Sequence, residues 1–270
     1  MRTTVLAFAL ALLTACEADD TAPVQAPLTI PTAAPDEVIL DVRADGAALF
    51  GRVVPPPPNA DPDRVLVLRG ERDGRPFLGS LEGARVLDAR FAGSALVVLG
   101  TDHVLRVHEN DQVAELDAQV HGPLSVAADR VAYVRGEPPD LEVARADLRT
   151  GAVEAITQGM APAWSPALSP DGTEVIFVSG ASGSPRLYRS HGGPARALPA
   201  SPRFPTGPSA PRWIGDRLVF EDEQGVASID LRAGTIAAAL PGARDLFALP
   251  GGRAVARTEQ GPALVEGGSR

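Results

Sequence analysis

Pro166-Ala167-Leu168-Ser169-Pro170-Asp171-Gly172-Thr173-Glu174-Val175-Ile176-Phe177-Val178 is the stretch on which the reading of this chain turns. Pro170 fixes its own φ at the first turn position. Asp171 tolerates the second, and Gly172 takes the left-handed one. The chain therefore reverses at 170–172 and enters a run of apolar, β-branched and aromatic residues, the composition of a buried strand. The same turn-then-strand order recurs on either side, at Asp129-Arg130-Val131 and Asp216-Arg217-Leu218.

Outward from this stretch, short β-like runs are separated by Gly, Pro and Asp. They include Glu37–Val42, Ala47–Val54, Arg64–Leu68, Ala95–Leu99, Val104–Val107, Arg130–Val134, Arg217–Phe220 and Val226–Ile229, and no segment keeps a helical period over three turns. Two longer repeats stand out. Gly83-Ala84-Arg85-Val86-Leu87 returns as Gly242-Ala243-Arg244-Asp245-Leu246, and Asp147-Leu148-Arg149-Thr150-Gly151 returns as Asp230-Leu231-Arg232-Ala233-Gly234. In the second repeat the Asp is placed to close an Asx-turn before the next strand. Anchoring each unit on its apolar strand gives Val65, Leu96, Val131, Val175, Leu218 and Ala254, at intervals of 31, 35, 44, 43 and 36 residues. That is the size of a four-stranded propeller blade. The expected fold is all-β, a six-bladed β-propeller over 36–270, with five or seven blades as alternatives because the units between Pro76 and Arg90 are weakly marked. The last unit has room for three strands only, so Glu37–Val42 is expected to complete it and close the ring.

The quoted stretch resembles the TolB-like propeller repeat, whose blades carry a Pro-x-Trp-Ser-Pro-Asp-Gly signature before an apolar strand. Leu168 stands at the aromatic position, and Pro211-Arg212-Trp213 ahead of Leu218-Val219-Phe220 is a degenerate second copy. The resemblance implies a six-bladed propeller. It carries over no binding partner.

The N-terminal region reads differently. Arg2 followed by the apolar Val5–Leu13 reads as an export signal over 1–15, too short to span a bilayer at the ~20 residues a helix needs. Leu13-Thr14-Ala15-Cys16 resembles the bacterial lipobox, which implies acylation of Cys16 and a membrane partner through that lipid. Residues 16–35, rich in Ala, Pro, Thr and acid, are expected to be a tether. The expected location is the cell envelope, the outer membrane ahead of the inner. Cys16 is the only cysteine in the chain, so disulfides, thiolate zinc sites and cysteine nucleophiles are excluded from the folded part. The net charge of −9 argues against nucleic acid as a partner.

No catalytic set, cofactor site or metal site is expected. Gly180-Ala181-Ser182-Gly183-Ser184 lacks the second glycine of a nucleophile elbow, and His191-Gly192-Gly193 falls at a hairpin. His103 and His108 flank one strand, roughly 16 Å apart at about 3.3 Å per residue. His103 and His121 could share a face, but two ligands make no zinc site. Glu221-Asp222-Glu223, Asp19-Asp20 and Asp61-Pro62-Asp63 lack the calcium-loop spacing and read as solvated loop charge. Trp164 and Trp213 are expected to pack between blades, with the channel mouth as the alternative, and Pro55–Pro58 to stiffen a loop. The expected function is a non-catalytic propeller binding a protein, peptide or envelope polymer. The alternatives are a propeller hydrolase or lactonase, marked by ionisable groups converging on the channel, and a scaffold subunit of an envelope complex.

Overall fold

The computed structural model describes residues 33–34, 36–55, 64–198, 211–215, 217–222, 225–231, 235–249, 253–258 and 261–266. The export signal, Cys16, nearly all of the tether, Pro56–Pro58, Asp61-Pro62-Asp63 and Glu223 lie outside them. Among the described residues all regular structure is β apart from a single 3-10 turn at Gly79–Leu81. No helix among the described residues is long and apolar enough to cross a membrane.

The first sheet takes in β1 (Glu37–Val42), β2 (Ala48–Val54), β3 (Val65–Arg72), β4 (Arg75–Pro76), β5 (Arg85–Ala92), β6 (Ala95–Gly100), β7 (Leu105–Glu109) and β8 (Gln112–Asp117). Its halves share a short ladder where Leu66 and Val67 of β3 face Val86 and Arg85 of β5, continued by bonds from the Leu68 N–H to Ala84 O and from the Gly83 N–H to Leu68 O, both 2.8 Å. Three four-stranded antiparallel meanders follow. The second sheet holds β9 (Val120–Ala127), β10 (Arg130–Arg135), β11 (Glu142–Asp147) and β12 (Val153–Ala155). The third holds β13 (Ala163–Leu168), β14 (Val175–Ser179), β15 (Arg186–Ser190) and β16 (Arg196–Ala197). The fourth holds β17 (Arg212–Ile214), β18 (Arg217–Asp222), β19 (Gly225–Asp230) and β20 (Thr235–Pro241). The fifth has β21 (Arg244–Leu249), β22 (Arg253–Thr258) and β23 (Gly261–Glu266).

Two expectations need correction. Glu37–Val42 is a strand, but it pairs with β2, from Glu37 opposite Arg52 to Val42 opposite Ala48, and not with the last sheet. The reason is local. Gly46 takes φ +82°, Asp45 Oδ1 accepts the Ala47 N–H at 3.2 Å, and the Arg43 N–H donates to Ala47 O at 2.8 Å. A five-residue reversal closes at far less entropic cost than pairing with a strand some two hundred residues away. Glu37 also grips Arg69 of β3 through two 2.8 Å bonds across β2, with the guanidinium 4.0 Å above the Phe50 ring. Second, the Val65 anchor lies on β3, the third strand of its unit, whereas Leu96, Val131, Val175, Leu218 and Ala254 lie on second strands. The first unit's true counterpart is β2, whose run Ala48–Gly51 is buried on both faces.

The turn that opened the sequence reading also locks two sheets together. Gly172 has φ +69°, and a Cβ there would lie 3.2 Å from Ala127 O of the second sheet. Its carbonyl accepts bonds from Arg130 and Arg145, both at 3.2 Å. Asp171 accepts the Ser169 hydroxyl and the Thr173 N–H, which holds its carboxyl well below the usual range, at about 2. The Asp147 repeat forms the expected Asx-turn, accepting the Arg149 and Thr150 N–H groups at 3.0 and 2.9 Å.

The core lies between successive units. One buried cluster joins the halves of the first sheet through Leu49, Leu68, Val86 and Leu96. Others join β6 and β7 to β9 and β10 around Tyr133, β10 and β11 to β13 and β14 around Phe177, β13 and β14 to β18 and β19 around Phe220, and β18 and β19 to β21 and β22 around Ile214. A further cluster packs Val42, Ala48 and Phe50 of β1 and β2 against Val255 of β22, setting the first unit against the last. Burying each of these large side chains is worth about 1.5–3 kcal/mol.

Candidate functional site

Except for β17, the first strand of each unit carries a register shift, in β1 at Ile39/Asp41, in β5 at Val86/Asp88, opposite β9 at Ala132/Val134, in β13 at Trp164/Ala167 and in β21 at Arg244/Phe247. Such bulges re-aim side chains and free backbone groups from the ladder. Here the freed groups are taken by the neighbouring unit. Asp41 Oδ2 accepts the Phe91 N–H of β5 at 2.9 Å, and Asp88 Oδ2 accepts the Leu124 N–H of β9 at 2.9 Å. Ser125 Oγ accepts the Leu168 N–H of β13 at 2.9 Å. Trp213 Nε1 of β17 donates to Ala167 O of β13 at 3.3 Å, and Glu221 Oε1 accepts the Leu246 N–H of β21 at 2.7 Å. Each unit is thus hooked to the next along one common axis.

Around that axis β1, β5, β9, β13 and β17 line a cavity of about 360 Å³. Its wall mixes apolar side chains, among them Leu40, Leu124, Leu168, Trp213 and several prolines, with nearly as much polar surface, including that of Asp41, Arg90 and Arg212. Arg90, almost wholly buried, donates to the carbonyls of Leu40, Ala89 and Leu124 and forms an ion pair with Asp88 at 3.3 Å. It therefore staples β1, β5 and β9. Burial pushes the Asp41 carboxyl above its ordinary range, against the pull of Arg90 and of the amides it accepts. Burial also lowers the Arg212 guanidinium to about 10, and the like charge of Arg90 adds to that, while Asp88, Asp41 and Glu221 oppose it. Arg212 keeps partial solvent contact through the cavity it lines. Among the described residues its guanidinium feels these charges at a distance but makes no hydrogen bond.

Of the residues singled out from sequence, Cys16 lies outside the described residues. The structure does bring His103 and His121 together, with ring centroids 5.0 Å apart and ring nitrogens each 3.0 Å from a backbone oxygen, Val120 O and Gly136 O. His108 sits apart on β7, between Leu96 and Val113. Among the described residues no group of three His, Cys, Asp or Glu is arranged to hold a metal. Gly180–Ser184 is the turn between β14 and β15, and His191-Gly192-Gly193 the turn between β15 and β16. Trp164 packs into the clusters on both sides of the third sheet, and Trp213 both bridges sheets and lines the cavity. Glu221 is a correction: it is on β18, half-buried, and hooks the last sheet, because the strand runs two residues further than its apolar stretch. Asp41, Asp88, Arg90 and Arg212 were not singled out. Their signal was a charged residue inside an otherwise apolar strand, as in Val38-Ile39-Leu40-Asp41-Val42.

No protein-family model and no curated protein matches the chain. Solved structures do. TolB from Acinetobacter baumannii is 16% identical with a TM-score of 0.54, over 75% of this chain and 57% of that one. A putative TolB from Agrobacterium tumefaciens is 15% identical with a TM-score of 0.54, over 74% and 79%. The tricorn protease is 12% identical with a TM-score of 0.57, over 88% of this chain and 30% of that one. The chain thus spans little more than half of the Acinetobacter TolB. At these identities the likeness is one of fold, and the fold is a TolB-like β-propeller.

Proposed function

We propose that this chain is a lipid-anchored propeller of the bacterial cell envelope, six-bladed, that binds a protein or peptide partner at the mouth of its central cavity without chemically converting it. The six-blade reading treats the eight-stranded sheet as two blades. It is supported by the narrow β3–β5 junction, by a packing cluster at each boundary, and by Val255 packing in one cluster with Phe50. The anchor rests on the lipobox at Cys16.

The observation that carries the binding reading is how Asp41, in the cavity wall, and Asp88, paired with the lining residue Arg90, are used. Asp41 accepts the Val42 and Phe91 N–H groups, and Asp88 accepts the Ala89 and Leu124 N–H groups and pairs with Arg90. Carboxylates engaged in this way hold blades together and are poor general bases. The convergence of Asp41, Asp88, Glu221, Arg90 and Arg212 is also what the hydrolase alternative requires, so that reading is kept as the second. A photo-crosslinking side chain at Gly215, exposed and lining the cavity, tests the first in intact cells against one at Val113, 58% exposed on β8. A discrete adduct from 215 and none from 113 supports the reading. Equal labelling, or none, refutes it. Ester or lactone turnover abolished in Asp41→Asn would replace it with the hydrolase.

A further inference from the structure

We infer that the cavity receives a single carboxylate carried on an apolar body, with Arg212 as the group that binds it. The inference deepens the partner-binding reading and rests on it. Every other charged group described at the cavity is already satisfied within the protein. Asp41 and Asp88 each accept two backbone N–H groups, and Arg90 spends its donors on three carbonyls and Asp88. Among the described residues Arg212, which lines the same cavity, donates no hydrogen bond.

A guanidinium presents parallel N–H donors that fit the two oxygens of a carboxylate, and such pairs are strongest where water is scarce. The charge it feels sets the valence of the ligand. Asp88, Asp41 and Glu221 act on Arg212 together with the like-charged Arg90, three carboxylates against two guanidinium groups, so a second negative charge on the ligand would be repelled. A monoanion is therefore favoured over a phosphate dianion. The walls set the rest. Leu40, Leu124, Leu168, Pro166, Pro211 and Trp213 offer apolar contact, and about 360 Å³ accommodates one or two side chains, not a folded domain. A peptide C-terminus with apolar residues and a small aliphatic acid share this chemistry.

The test is calorimetric titration of the folded chain with N-acetyl-Leu-Leu as the free acid, the same dipeptide as its C-terminal amide, octanoate, and inorganic phosphate. The free acid is expected to bind at least tenfold more tightly than the amide, and phosphate more weakly than the free acid. In Arg212→Gln the preference for acid over amide should vanish while the amide binds as before. The acid–amide comparison in the unaltered chain stands even if the variant fails to fold. Octanoate matching the dipeptide assigns the site to small free acids. A dipeptide that outbinds it assigns the site to peptide C-termini. Equal affinity for acid and amide, tighter phosphate binding, or an acid preference that survives Arg212→Gln overturns the inference. So does failure of both dipeptides to bind, a result that leaves the crosslinking test of the partner reading intact.

Discussion

Asp88→Ala removes three hydrogen bonds at one blade boundary. Its oxygens accept the Ala89 N–H at 2.8 Å, the Leu124 N–H at 2.9 Å and Arg90 Nη2 at 3.3 Å, and the residue is only 5% exposed. An orphaned buried N–H costs about 1–3 kcal/mol. Removing one partner of a buried ion pair costs about 3–5 kcal/mol, less here because Arg90 keeps its carbonyl acceptors. The contributions overlap, so the expected loss is on the order of 4 kcal/mol, a large share of the ~5–15 kcal/mol typical of a folded protein. Asp88→Asn keeps one acceptor oxygen in place and should lose roughly half as much. Urea unfolding followed by circular dichroism, extrapolated linearly to water, gives both values, and an unchanged slope certifies that the same surface unfolds. Ser125→Ala, which removes a single hook, is the internal scale. The reasoning is refuted if Asp88→Ala loses less than about 1 kcal/mol, or less than Ser125→Ala.

A chain starting at Asp45 lacks β1, so the Phe91 N–H loses Asp41 and Arg69 loses Glu37. It should melt far below a chain starting at Asp36 and associate through the bared edge of β2 on size exclusion. Asp171 has its pKa depressed to about 2, so the stability it contributes is complete above the unfolded value of 3.8 and disappears as pH falls through about 2. The melting-temperature gap between the native chain and Asp171→Ala should therefore be open at pH 6 and closed below pH 2. Tyr133→Phe deletes a 2.7 Å bond from a buried hydroxyl to Asp117 Oδ2 and should cost about 1.5 kcal/mol in the same urea assay. Cys16→Ser should abolish incorporation of radiolabelled fatty acid and release the protein from the membrane fraction.

The outer parts of the fold were far more legible than its centre. β14 was readable because Pro170-Asp171-Gly172 marks its start and four apolar residues follow. β9 was not, because Gly122-Pro123 reads as a breaker. In the fold that pair falls where the β9–β10 register slips between Ala132 and Val134, at which point proline forfeits no ladder bond. Pro166 does the same in β13, between Trp164 and Ala167. Two of the strands that line the cavity, β9 and β13, are thus among those whose sequences look least like strands, whereas β1 was plain. The site residues were hidden for a related reason. Asp41 and Asp88 look like solvated charges until the fold shows the amides of the next blade waiting for them. The hook chemistry also changes from Asp to Ser to Trp to Glu, so no repeat in the sequence betrays a repeat in space.

Arg90 has a bearing on how any ligand is met. One guanidinium fastened to Leu40 O of β1 and Leu124 O of β9, with its own strand between them, ties β1, β5 and β9 together. The floor of the cavity cannot dilate like an iris to admit a bulky guest. A ligand arriving there finds its socket already shaped, and little protein freedom is lost when it docks. Selectivity then falls to what fits, and adaptation to new partners falls to the loops that rim the opening.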